Sequence, residues 1–174
     1  MRSVVIGIGD CQASGDRDAT LVTYALGSCV GLALFDPQTR VGGLLHILLP
    51  EASLDAEKAK RNPCLFADTG LPVLLERCRR LGAVPARLRV WLAGGSAVMD
   101  DRGIFNIGKR NQLAMRKALW KAGLMIHGED LGGSGSRTVR LELATGTFWI
   151  RTSSGPDQEL KFQGPRALGA IPCR

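Results

Sequence analysis

Histidine is scarce in this chain. Only His46 and His127 occur among 174 residues, so chemistry that needs an imidazole has two candidates. Aromatic residues make up 5%, and no basic–aromatic motif of the RNA-binding type occurs. Recognition of nucleic acid by base stacking is therefore not expected. No apolar run approaches the roughly 18–20 residues that span a bilayer. The start, Met1 to Gly7 with Asp10 close behind, reads as a first strand rather than a signal peptide. A cytoplasmic protein without membrane insertion is expected. The five cysteines, at 11, 29, 64, 78 and 173, are odd in number and include no Cys-x-x-Cys pair. This argues against a disulfide framework and against a cysteine zinc site. Ala93-Gly94-Gly95-Ser96 lacks the lysine of a phosphate-binding loop, and no dinucleotide fingerprint sits at a strand–helix junction. Neither cofactor nor metal is expected.

What is present fits one folded domain. Apolar residues make up 45% and glycine is abundant at 22 residues, a balance of core and turn rather than disorder. The net charge is +7, from 23 basic and 16 acidic residues. A basic surface can be no more than a solubilising shell, or it can steer an acidic protein partner. The charge alone leaves both open.

Strand patterning covers residues 3–8, 20–25, 30–35 and 40–49, with Asp36-Pro37-Gln38-Thr39 as the turn of a β-hairpin. Residues 51–65 carry charge and Pro63 and read as a long loop. A helix is predicted over 69–81, with Asp68 as N-cap, Pro72 in its first turn and Gly82 as the stop. Residues 87–92 alternate as a strand. A second helix is expected from an Asn106 cap to Gly123. Strands at 124–128, 137–143 and 147–152 complete the domain, 1–153. The segment 154–174 reads as a loosely packed tail. The fold class is α/β: a layered sandwich with mixed or antiparallel sheets and two main helices, not a doubly wound nucleotide fold.

Cys29 follows Leu26-Gly27-Ser28 at the start of a strand, where small residues allow close approach. Cys78 lies on the apolar face of a helix and reads as core. With a four-residue loop Asp36–Thr39, Phe35 faces Arg40 and Cys29 lies directly opposite His46. Such pairs have Cβ atoms about 4.5–5.5 Å apart, and a one-residue slip would separate their faces. A thiol near an imidazole can become the thiolate nucleophile, and the imidazole can return a proton to a leaving amine. On this reading Cys29 would alkylate below the pH range of a free thiol. Backbone N–H groups around Gly27, Ser28 and Cys29 are oxyanion candidates. The bland alternative is a small buried cysteine beside a satisfied core histidine; residue chemistry alone does not choose between them.

Leu26-Gly27-Ser28-Cys29-Val30, Asp36-Pro37, Val41-Gly42-Gly43 and His46-Ile47-Leu48-Leu49-Pro50 resemble the CheD family. So do Ala67-Asp68-Thr69, Ala93-Gly94-Gly95, Asn106-Ile107-Gly108 with Arg110-Asn111, and Glu129-Asp130 with Gly132-Gly133. The resemblance runs in order over about 3–152. It implies a layered α/β fold similar to that of bacterial toxin deamidases. It also implies a chemoreceptor glutamine deamidase of bacterial chemotaxis, converting receptor glutamines to glutamates with release of ammonia. Its catalytic cysteine and histidine carry over to Cys29 and His46, and its threonine to Thr23, orienting the imidazole. The chemoreceptors are the implied substrate, and a CheC-type phosphatase is an implied partner in some members. Phe66 stands where a hydroxylated aromatic is expected, and Lys109 where an acidic residue is common. Two other readings are a non-catalytic regulatory module docking on the phosphatase or receptors, and a cysteine peptidase.

Overall fold

The fold is described from a computed structural model for residues 2–97, 106–153 and 155–162. Ten strands and three α-helices follow in the order β1 (Arg2–Val5), β2 (Asp10–Ser14), β3 (Ala19–Leu26), β4 (Val30–Phe35), β5 (Gly42–Ile47), α1 (Ala56–Arg61), α2 (Ala67–Arg80), β6 (Arg89–Gly94), α3 (Ile107–Lys121), β7 (Gly128–Leu131), β8 (Arg137–Glu142), β9 (Thr147–Thr152) and β10 (Asp157–Glu159). They build two five-stranded sheets, β1-β3-β8-β9-β10 and β2-β5-β4-β6-β7. β1 runs parallel to β3, and β6 to β7; the other pairs are antiparallel. The expected layered α/β sandwich with mixed sheets is what forms.

Apolar patterning explains the layers. β4 and β5, Val-Gly-Leu-Ala-Leu-Phe and Gly-Gly-Leu-Leu-His-Ile, are buried on both faces. Leu32, Leu34, Leu45, Ile47, Val90 and Leu92 meet Leu71 and Leu74 of α2 and Met115 and Leu119 of α3. The alternate residues, including Ala33, Phe35, Leu44 and Trp91, meet Leu21, Val139, Leu141 and Phe148 of the first sheet. The second sheet is thus the middle layer, and its centre can be read as near-continuous apolar runs because helices cover one side and a sheet the other.

Several expectations change in detail. The loop read over 51–65 contains α1 between 3-10 turns at Ala52–Leu54 and Pro63–Leu65. Asp55 caps α1 by accepting from the Lys58 N–H. Asp68 does not cap α2, which begins one residue before it; its carboxylate accepts the Ala52 N–H at 2.9 Å instead. Pro72 is consequently in the second turn. Asn106 does cap α3, accepting from the Lys109 N–H at 3.3 Å. The strand expected at 124–128 lies later, at Gly128–Leu131. Of the segment from 154 onward, 154 and 163–174 lie outside the described residues. Residues 157–159 form β10 on β9, and Trp91 Nε1 donates to the Leu160 carbonyl at 3.1 Å.

The β4–β5 hairpin is set by Asp36. Its carboxylate is fully buried and accepts from the N–H groups of Gln38 and Val84 and from the Arg87 guanidinium, at 2.9, 2.9 and 2.6 Å. Burial alone would raise its pKa, but Arg87 and the backbone donors hold it well below the usual carboxylate range. Asp36→Ala leaves Arg87 and the backbone donors of Gln38, Thr39 and Val84 unpaired. A loss of about 3 kcal/mol is expected in urea unfolding; a loss below about 1 kcal/mol would show that the network does little for stability.

Candidate functional site

The hairpin register decides how Cys29 and His46 meet. Asp36 N–H donates to the Val41 carbonyl at 2.8 Å, so the four-residue loop is Pro37 to Arg40. It sits one position later than the sequence suggested, because Asp36 is locked into the end of β4. The register moves by two residues and Gly31 faces His46. Direct opposition of Cys29 to His46 is therefore corrected to a diagonal relation. The two faces are preserved, because the shift is even. Diagonal neighbours lie roughly 7–8 Å apart at Cα, with Cβ atoms somewhat closer. Cys29 belongs to the apolar cluster between the sheets; His46, two residues along β5 from Leu44 of that cluster, shares its face.

β3 brings Thr23 to the same place. The Thr23 hydroxyl lies 2.7 Å from the Ile6 carbonyl and 2.7 Å from His46 Nδ1. A carbonyl can only accept, so the single hydroxyl proton points at Ile6. His46 Nδ1 must then be the protonated ring nitrogen, donating to Thr23 Oγ1. This tautomer leaves a lone pair on Nε2, which has no hydrogen-bond partner among the described residues. A buried nitrogen without a partner is uncommon, and here it is the nitrogen a general base would use.

Burial sets the electrostatics. His46 is 1% exposed and Cys29 7%. Desolvation pulls the imidazole down to about 4 and pushes the Cys29 thiol up, opposed by its own backbone N–H. Both shifts favour the neutral thiol and the neutral imidazole over the expected ion pair. Iodoacetamide alkylation of Cys29 should therefore reach its midpoint above the ordinary thiol value of about 8.5. A midpoint near neutrality would restore the ion pair.

The Cys29 turn is gripped from behind. The carbonyls of Gly27, Ser28 and Cys29 accept from Ser96 N–H, Asn111 Nδ2 and Gly95 N–H at 2.8, 2.9 and 2.7 Å. Gly27 N–H donates to Ala25 at 2.9 Å, where Ala25 adopts φ +56 in a bulge of β3. No oxygen among the described residues accepts the N–H of Ser28 or Cys29. A Cβ on Gly94, which has φ +106, would stand 2.2 Å from the Cys29 carbonyl oxygen. His127 lies elsewhere; its Nδ1 accepts the Val90 N–H at 3.1 Å and its ring stacks on Phe162. Phe66 is fully buried. Asn111 and Gln112 had no chemical signal in the sequence beyond the motif around Asn111, because their partners are more than about fifteen residues away.

Fold and site together define a layered α/β domain in which His46 is bonded to Thr23 and lies on the sheet face that Cys29 shares. Comparison with known proteins places it further. Residues 48–152 match the family model for CheD chemotactic sensory transduction. A Solibacter usitatus protein named "Probable chemoreceptor glutamine deamidase CheD" is 46% identical over 169 residues, 97% of this chain and 99% of its own length. A Syntrophus aciditrophicus relative, "Probable chemoreceptor glutamine deamidase CheD 1", is 47% identical over 92% of this chain and all of its own. One from Pyrococcus horikoshii is 42% identical over 87% and 93%. The chain belongs to the CheD family. The family-model match begins two residues after His46 and does not include Cys29, His46 or Thr23. Among the described residues no helix is long and apolar enough to cross a membrane.

Proposed function

We propose that this chain is a protein-glutamine deamidase that hydrolyses selected side-chain amides of chemoreceptors, with Cys29 as nucleophile, His46 as base and acid, and Thr23 as orienting residue. One observation carries the reading most directly. The Thr23–His46 bond leaves Nε2 without a partner among the described residues, as a base on the face that Cys29 shares.

The chemistry balances on these groups. Cys29 Sγ bonds to the amide carbon as its proton passes to His46 Nε2, and the amide oxygen takes up negative charge. The imidazolium returns the proton to the nitrogen as the C–N bond breaks, releasing ammonia and leaving a thioester. Water then adds, with its proton taken by Nε2. The thiolate leaves, recovers that proton, and the side chain is now glutamate. Starting from a neutral pair suits this sequence, since the base is unprotonated at neutral pH and the thiol proton is the one later given to the leaving group.

The substrate belongs to the cytoplasmic part of the receptors, so the protein acts in the cytoplasm. Docking to a CheC-type phosphatase belongs to the same reading and would be seen by co-purification. Incubation with receptor cytoplasmic fragments tests the activity itself. Ammonia should accumulate in step with loss of glutamine and without cleavage of the receptor chain. Cleaved fragments would instead favour a peptidase.

A further inference from the structure

We infer that Asn111 and Gln112, consecutive residues of α3, are positioning residues that free the backbone N–H of Cys29 to serve as an oxyanion donor. This rests on the deamidase reading and deepens it.

The observation is a break in a ladder. β4 and β6 pair with Val30 facing Gly94, so Cys29 faces Gly95. Gly95 N–H donates to the Cys29 carbonyl at 2.7 Å. In a regular antiparallel sheet such a pair exchanges both bonds, and Cys29 N–H would donate to the Gly95 carbonyl. That second bond is missing. Gly95 has φ +63, and its carbonyl instead accepts from Gln112 Nε2 at 2.7 Å. Gln112 thus occupies the acceptor that would otherwise consume the Cys29 N–H.

Asn111 acts on the adjoining peptide. Its Nδ2 donates to the Ser28 carbonyl at 2.9 Å and to the Leu48 carbonyl at 3.0 Å. In a trans peptide the carbonyl and the following N–H point in opposite directions. Holding the Ser28 carbonyl toward α3 therefore turns the Cys29 N–H away from it. The N–H faces the Cys29 sulfur closely enough to favour its thiolate form, which is also the side where an amide carbon bonded to that sulfur would carry its oxygen. The same Asn111 amide holds Leu48, two residues past His46, so one side chain ties the nucleophile turn to the strand bearing the base. Asn111 is fully buried and its Oδ1 has no partner among the described residues. A buried acceptor left so is destabilising, an odd choice for a residue serving stability alone.

Gln112→Met keeps length and removes the donor; Asn111→Leu does the same at the buried site. Three quantities are read on the full chain: kcat and KM for receptor deamidation, the rate of Cys29 alkylation by iodoacetamide, and affinity for a peptide with an aldehyde in place of a glutamine carboxamide. The thiol adds to that aldehyde to give a hemithioacetal whose oxygen needs the same donor. Displacement by iodoacetamide develops no oxyanion. Each variant is expected to lower kcat by about a hundredfold with KM within about twofold, to weaken aldehyde binding in parallel, and to leave alkylation within about twofold. Unchanged kcat and aldehyde affinity in Gln112→Met, which is only half-buried and should fold even if Asn111→Leu does not, would overturn the inference. So would an equal fall in alkylation, which would mean general collapse. A wild-type protein that neither releases ammonia nor binds the aldehyde would instead remove the deamidase reading beneath it.

Discussion

His46→Gln is expected to lower deamidation about a thousandfold, within the range general acid–base groups supply, and to change how stability responds to acid. The second effect has a definite sign. The imidazole falls from an ordinary 6.5 to about 4 on folding because it is desolvated. Between those values the unfolded chain binds a proton that the native chain does not. Stability from this group is therefore fully present above about 6.5 and is lost as pH falls toward 4. Between about pH 7 and about pH 5 the loss amounts to about 2 kcal/mol. Urea unfolding of wild type and His46→Gln at both pH values reads the difference directly, since other titrating groups are shared. Equal acid sensitivity in the two proteins would mean that His46 is not buried in its neutral form.

Gly94→Ala should damage both rate and stability. The added carbon would sit 2.2 Å from the Cys29 carbonyl oxygen and 3.3 Å from the carbonyl carbon, at φ +106. That oxygen is held by Gly95 N–H, so the nucleophile turn and β6 must part. A displacement near 1 Å costs about a hundredfold in rate, and the left-handed backbone costs about 1–2 kcal/mol besides. Gly123→Ala is the matched control. Gly123 has φ +70 with nothing within 4 Å of an added Cβ, so it should lose similar backbone energy and keep its activity. Equal rates for the two variants would show that the Gly94 contact does not position Cys29.

The candidate trio could be proposed from sequence because two histidines and one cysteine in a small-residue turn leave few combinations, and the family resemblance supplied Thr23. The element types in β3, β4, β8, β9, α2 and α3 were legible from periodicity. The hairpin register was not, because it depends on Asp36 finding Arg87 and Val84 far along the chain. β2, Asp-Cys-Gln-Ala-Ser, has too little apolar alternation to read as a strand; it exists because β5 offers it an edge. α1 was hidden by charge and by Pro63. The burial that favours the neutral forms of Cys29 and His46 was equally illegible, since burial between two sheets is a property of the layers and not of local sequence. Asn111 and Gln112 differ again: their helix could be read, but their acceptors at Ser28, Leu48 and Gly95 exist only once α3 lies behind the turn.

Conversion of a receptor glutamine to glutamate by Cys29 can be measured directly. Purified wild type and Cys29→Ala should be incubated with the same receptor cytoplasmic fragment, and each glutamine followed by peptide mass spectrometry. Conversion confined to a few glutamines, with ammonia in equal amount, and none above background with Cys29→Ala, is the expected result. Equal conversion by both proteins would contradict it.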